Sequence, residues 1–191
     1  MKISISDLKI ALTSLIITII AGVMTNFLIV IAVVVFVAHP LFSSIASELA
    51  LFIALGIIPY LAFVKLFDLR LDSVPRVRII FDVAMYIAIG IALYRFYPLY
   101  AVLHFFVVAI SEEILFRELQ YTYFQKNANF IVGLIASSVI FGIVLHINDS
   151  MIVNVLLRIP LGMLLYAVRH KFGLSASVSL HWIYDVIMSF T

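Results

Sequence analysis

Seven ionisable side chains fall inside otherwise apolar stretches of the sequence: Glu112, Glu113, Arg117, His146, Arg158, His181 and Asp185. At the centre of a membrane helix a charged Asp, Arg or Lys costs about 2.5–3.5 kcal/mol unless it is paired or hydrated. Glu113 and Arg117 stand at i and i+4, so they can neutralise each other on one helix face. Taken alone, that pair is as readily structural as functional. The adjacent carboxylate changes the balance. Neighbouring residues on a helix point about 100° apart, so one arginine cannot satisfy Glu112 and Glu113 on a single face. The carboxylate left over is suited to act as a general base.

The histidines lie on other segments. His146 stands near the end of one apolar run, and His181 and Asp185 are one turn apart on another, so both can face the same cavity. A single histidine in a membrane helix is more often a hydrogen-bonding residue between helices than a catalyst. Two of them with a Glu pair and an Asp, spread over three segments, form a constellation. It could bind and activate a water, with a carboxylate as base, an imidazole as second anchor and the His/Asp pair at an oxyanion. It could equally hold a divalent metal such as zinc through Glu112, His146 and His181.

The elements that must position these groups are membrane helices. Of the 191 residues, 65% are hydrophobic and 12% charged, and the mean hydropathy is +1.25. About 25% charged is ordinary for a soluble domain, so too few polar residues are present to cover a water-facing shell. A bilayer core of about 30 Å takes roughly 20 apolar residues per helix. The pattern predicts an all-α, polytopic integral membrane protein of about seven spans, or eight if the first run is two segments. That run, Ile10 to Ala38, is long enough to span with considerable tilt or to hide a kink near Gly22, and too long for a signal-peptide core. The others are expected near 47–67 with Pro59 inside, 79–97, 99–125, 129–147, 150–168 with Pro160 inside, and 175 to the end. A polar loop is expected over Asp68 to Arg78, and a turn at Asn148-Asp149-Ser150 whose Asp or Ser caps the next helix. Arg169-His170-Lys171-Phe172-Gly173 reads as a helix end with cations in its last turn and a glycine cap.

With seven spans and the N-terminus inside, Lys2, Lys9, Lys65, Arg70, Arg76, Arg78, Lys126, Arg169 and Lys171 share one side, and Arg95 falls on the other. The positive-inside rule then favours a cytoplasmic N-terminus. Cysteine is absent, which excludes disulfides, thiolate zinc sites and cysteine nucleophiles. The chain is read as one compact membrane domain, with N-terminal helices and a polar loop over 1–98 and a catalytic core of the last four helices over 99–191.

The segment Glu112-Glu113-Ile114-Leu115-Phe116-Arg117 resembles the EExxxR signature of the CAAX-protease/bacteriocin-immunity (CPBP, or Abi) family. His181-Trp182-Ile183-Tyr184-Asp185 resembles that family's HxxxN/D motif, and FGIVLH ending at His146 is similar to its FxxxH helix. One departure stands out. Phe141 lies five residues before His146, where the family pattern has four and this chain has Gly142; the aromatic is expected to be a packing residue. Gly162 to His181, with a glycine, an aromatic and a basic turn before the last histidine, also resembles the family. The resemblance covers the C-terminal half, and the first three spans match only in being hydrophobic.

The resemblance implies an intramembrane endopeptidase acting on a hydrophobic or prenylated, CAAX-like peptide, in a prokaryotic plasma membrane. The partners it implies are that substrate and the bilayer, and no nucleic acid is expected. Position by position, Glu112 would activate water with His146, Glu113 would pair with Arg117 and order the helix, and His181 with Asp185 would stabilise the oxyanion. Asp185 stands where many relatives have asparagine, and an ionised Asp cannot donate a hydrogen bond; it would be protonated, orient His181 or bind metal. The family is often called a metalloprotease, yet no HExxH is found in the chain. His104 could line the cavity, Arg158 is expected to pair or snorkel, and Glu118, His39 and His170 read as interfacial. Two rivals remain from the residues alone. A proton- or ion-coupled transporter also gathers carboxylates and histidines near the midplane, but no inverted repeat is visible. A bacteriocin-immunity or other binding protein without essential proteolysis would need no turnover at all.

Overall fold

The computed structural model describes residues 4–71, 76–147 and 150–190. Among these the chain forms seven continuous helices and no strand: α1 Ile5–Val35, α2 Pro40–Phe67, α3 Arg76–Tyr94, α4 Leu99–Asn127, α5 Phe130–Leu145, α6 Met151–Phe172 and α7 Leu174–Met188. The first run is one unbroken helix of 31 residues, so the tilt of a long span replaces the kink considered near Gly22. It starts at a capping box: Asp7 N–H donates to Ser4 Oγ at 3.1 Å, and Ser4 N–H donates back to the Asp7 carboxylate at 2.9 Å. The protein is therefore an integral membrane protein of the all-α class.

Five of the helices, α1 to α4 and α6, are long and apolar enough to cross a bilayer. The two shorter ones carry the histidines. At 1.5 Å per residue α7, with 15 residues, spans about 22 Å, short of the roughly 30 Å hydrocarbon core. α5 is of similar length and contains a wider turn. Both are therefore shorter than the hydrocarbon core is thick, and His146 follows the end of α5 directly.

Four helices contain a π-helical turn, at Ile53–Ile57 in α2, Ile114–Gln120 in α4, Ile140–Leu145 in α5 and Asn154–Arg158 in α6. Two of these end just before Pro59 and Pro160. Proline lacks an N–H, and its ring crowds the carbonyl four residues back; a widened turn at that place relieves the clash and bends the helix. The other two turns have no proline. They sit instead in the segments that carry Arg117 and the run FGIVLH up to His146, and π-turns inside α-helices often mark functional sites.

α4 is central: it packs on α2, α3 and α7, and its π-turn also reaches α5 and α6. It runs antiparallel to α7, since Ser177 meets Glu113, Trp182 Nε1–H donates to Val102 O at 2.8 Å, and Phe190 packs on Tyr97. α1 lays one stripe inward, Ile10, Ser14, Thr18 and Ala21, and Gln120 of α4 donates to Thr18 Oγ1 at 2.8 Å. Leu115, Phe116, Leu119 and Phe124 of α4 fill the core together with Leu55 and Phe63 of α2 and Ile140 and Phe141 of α5.

The loop expected over Asp68 to Arg78 is described only at its ends, since residues 72–75 lie outside the described residues, as does the Asn148-Asp149 part of the turn before α6. Ser150 does stand at the head of α6, but its side chain makes no cap bond, which corrects that part of the expectation. The α6 end is as read: Arg169, His170 and Lys171 occupy the last turn, and Gly173 follows with φ +95°, a left-handed conformation that glycine adopts without a Cβ penalty. Its N–H closes on Arg169 O at 3.0 Å. Cationic helix ends gather here: Arg78 donates to Phe172 O at 3.3 Å, and Lys126 donates to Asp68 O at 2.9 Å.

Candidate active site

The site forms where the middle of α4 faces α7. Glu112 and Glu113 are both buried, but they are used differently. Glu113 is saturated. Its Oε1 lies 3.3 Å from Arg117 Nη1 and accepts from His181 Nδ1 at 2.9 Å, while its Oε2 accepts from the Ser177 hydroxyl. Arg117 is fully buried, donates to Gly162 O at 3.3 Å, and lays its guanidinium 4.4 Å from the centre of the Phe141 ring. The i,i+4 pairing expected from spacing is therefore present, and it is part of a larger lattice that ties α4 to α5, α6 and α7. Burying such a pair costs desolvation that its hydrogen bonds offset only in part: Nη2 of Arg117 donates to Gly162 O, Nη1 meets Glu113 as an ion pair, and Nε makes no hydrogen bond among the described residues.

Glu112 points elsewhere. Its Oε2 faces His181 Nε2 at 3.7 Å, a separation too long for a hydrogen bond and wide enough for a small group to enter from the side. Nε2 of the same ring lies 3.4 Å from Asp185 Oδ2. Since a carboxylate only accepts, the Nδ1 contact to Glu113 fixes that nitrogen as N–H, and the other face of the ring is left for Glu112 and Asp185. Sequence reasoning assigned Glu113 to Arg117; the structure adds that Glu113 orients His181.

His146 joins the site through Phe141. The Phe141 ring packs edge-on against His146, with centroids 5.3 Å apart, and against His181 at 5.7 Å. The five-residue spacing that departs from FxxxH is explained by the π-turn at Ile140–Leu145. In such a turn residues five apart stack as residues four apart do in an α-helix, so Phe141 and His146 keep one face despite the extra residue. Phe141 is more than filler, then: it touches both histidines and Arg117.

Two groups carry the site that the residue pattern did not single out, and a third, Gly162, has a role the pattern did not give it. Ser177 bridges Glu113 to Leu165 O, donating to the latter at 3.1 Å; its clue was its place one turn before His181. Asn154, buried in α6, donates to His146 O at 2.8 Å and fixes the end of α5; an asparagine in an apolar run was the signal. Gly162 offers the carbonyl that receives Arg117. Of the secondary residues, His104 turns away to Glu48 of α2, at 2.6 Å. Arg158 is partly buried, within electrostatic reach of His146 and Asp185. Glu118 pairs with Arg169 at 2.9 Å and His170 meets Tyr121 Oη at 2.8 Å. Glu112, His146 and His181 were weighed as metal ligands. Among the described residues no group of three or more His, Cys, Asp and Glu is arranged as metal ligands, and no step below is routed through a metal.

A buried Glu–Arg–His lattice with one further carboxylate facing it, among helices long and apolar enough to cross a membrane, defines a polytopic membrane protein with a buried polar centre. Residues 94–187 match the family model described as type II CAAX prenyl endopeptidase Rce1-like. Over that half the chain belongs to the CPBP/CAAX family of intramembrane proteases. Comparison with curated proteins and with solved structures gave no match.

Proposed function

We propose that the chain is a glutamate-dependent intramembrane endopeptidase that hydrolyses a peptide bond of a hydrophobic or prenylated, CAAX-like substrate. One observation carries the mechanism: of two adjacent buried carboxylates, Glu113 is consumed by Arg117, His181 and Ser177, while Glu112 faces the imidazole across 3.7 Å. A water bound between Glu112 and the histidines gives up its proton to the Glu112 carboxylate as its oxygen attacks the scissile carbonyl. His146 is the second anchor of that water, held at the end of α5 by Asn154 and by the edge of Phe141. The oxyanion forms on the Nε2 side of His181, which acts as the imidazolium: Nδ1–H is held by Glu113 and Nε2–H donates to the oxyanion. Asp185, unable to donate while ionised, orients that ring from 3.4 Å. As the tetrahedral intermediate collapses, the C–N bond breaks and the proton held by Glu112 passes to the leaving amine.

The short span of α5 supports water entry, because a helix shorter than the hydrocarbon core allows water to reach His146, the residue that follows its end. The test uses purified protein in detergent with a prenylated CAAX peptide. Glu112→Gln, which keeps the size and removes the base, lowers kcat by about 10²–10⁴ while the thermal unfolding temperature stays unchanged. Cleavage by that variant at the native rate rejects the mechanism.

A further inference from the structure

A second, unrelated feature lies along the seam that α3 makes with α4, α6 and α7. At the end of the seam where the cations gather, a cleft of about 610 Å³ is lined by Arg78, Asp82, Glu118, Arg169, His170 and Lys171. Further along the same seam an open groove of about 320 Å³ is lined by apolar and aromatic side chains, among them Gly90, Tyr94, Val102, Phe106 and Trp182. Tyr86 lines both. Its ring packs on Phe106 at 5.3 Å and Phe106 on Trp182 at 4.7 Å, which makes one aromatic wall running down from the charged end.

A charged cleft joined to an apolar groove through one shared residue has the form of a binding site for an amphiphile. We infer that this seam holds an anionic phospholipid, its phosphate in the cleft at Arg78 and Lys171 and one acyl chain in the groove against Tyr86, Phe106 and Trp182. The charge of the cleft selects the head group. Arg169 is engaged by Glu118 at 2.9 Å, and Arg78 uses one N–H on Phe172 O at 3.3 Å. Three permanent cations, Arg78, Arg169 and Lys171, face two carboxylates, Asp82 and Glu118, which leaves an excess of one positive charge to match the single charge of a phosphodiester. A zwitterionic choline head would bring a cation into that excess. Basic pockets between membrane helices are known to take anionic head groups, and the groove supplies what a free anion would not use.

Occupancy has a structural consequence. α3 buries little of itself against the protein, and a lipid seated in the seam supplies the contacts that hold it beside α4 and α7, where Gly90 faces Trp182, the residue after His181.

The chain carries a single tryptophan, Trp182, in the wall of the groove, which makes it a reporter. The full-length protein is placed in lipid nanodiscs without substrate, so the result stands apart from the Glu112 test, and quenching of Trp182 is followed as acyl-brominated phosphatidylglycerol or acyl-brominated phosphatidylcholine replaces the host lipid. Half-quenching is expected at about a tenfold lower fraction of the anionic lipid, each nearby cation being worth about 1 kcal/mol. Arg78→Gln with Lys171→Gln, both at the exposed rim, brings the two curves together. Identical curves for the native protein overturn the proposal, since Trp182 then meets only bulk lipid. Inorganic phosphate that abolishes the preference also overturns it, in favour of a free-anion site.

Discussion

α3 and α4 are consecutive apolar helices, and each is long enough to cross the membrane, yet they are held in opposite ways. In its most apolar window α3 buries 6% of its residues inside the protein, whereas α4 buries 39%. Ile80, Phe81 and Ile87 of α3 are exposed on its outer face, and Leu93 near the helix end is buried. α4 instead turns Ser111, Glu112, Glu113, Arg117 and Gln120 into the protein interior, away from lipid. Lipid tails are as apolar as leucine, so burying more hydrocarbon does little to hold one membrane helix on another. What fixes a helix there is polar pairing and close packing. α4 has both and organises the site; α3 has little of either, chiefly Arg78 on Phe172 O and the packing of Tyr86 and Gly90 on Phe106 and Trp182.

The sharpest test of that contrast sets Arg117→Met against Ile80→Ala. Removing the guanidinium leaves Glu113 as a buried charge with its ion pair gone, which costs about 3–5 kcal/mol. Ile80 is exposed to lipid, and its truncation shifts stability by no more than about 0.5 kcal/mol. Thermal unfolding of the two variants in the same detergent decides it. Equal losses would mean that α3 is anchored as firmly as α4.

Close packing without charge comes next in size. A Cβ built on Gly142 would stand 2.6 Å from Ile159 Cγ1 and 3.0 Å from the Ile159 backbone nitrogen. Backbone cannot swing aside as a side-chain tip can, so Gly142→Ala must push the π-turns of α5 and α6 apart, at about 1–3 kcal/mol. His146 lies just beyond that turn, so kcat for peptide cleavage should fall further than stability alone explains. An alanine variant with native unfolding temperature and native kcat would show that the two π-turns are not in register-critical contact.

Ser177→Ala is a smaller perturbation of the same lattice. It removes the hydroxyl donor to Glu113 while Arg117 and His181 still hold the carboxylate, for a loss of about 1–2 kcal/mol. Because Glu113 orients His181, the expected signature is a lower kcat with KM little changed. A raised KM at constant kcat would place Ser177 in substrate binding instead.

The same division governs how much could be read from the residues. Helix number and approximate ends followed from hydropathy, because a membrane span must be long and apolar. Glu112, Glu113, Arg117 and His181 stood out because charge in an apolar run is costly enough to need a reason. Partners across helices were not legible. That Glu113 serves His181 as well as Arg117 depends on how α4 faces α7, which no spacing within one helix encodes. The π-turns were equally hidden: two follow from proline geometry, but the one at Ile140–Leu145 showed only as an odd residue in FGIVLH. Ser177 and Asn154 are small polar residues of ordinary types, and their work depends on carbonyls and carboxylates brought from other helices.

The last comparison turns the sign of a substitution around. Gly22 lies mid-way along α1, and a Cβ built there meets nothing within 4 Å. Its carbonyl accepts from Asn26 Nδ2 at 2.9 Å, a bond that an alanine backbone preserves. Glycine in a helix interior is less favourable than alanine by about 0.8–1 kcal/mol, through the freedom it loses on ordering. Gly22→Ala therefore raises stability by up to that amount and leaves cleavage unchanged, although the chemically identical Gly142→Ala lowers both. If Gly22→Ala instead destabilises the purified protein, then α1 is contacted on that face by something other than lipid, and a partner helix, from a second copy or another protein, covers it.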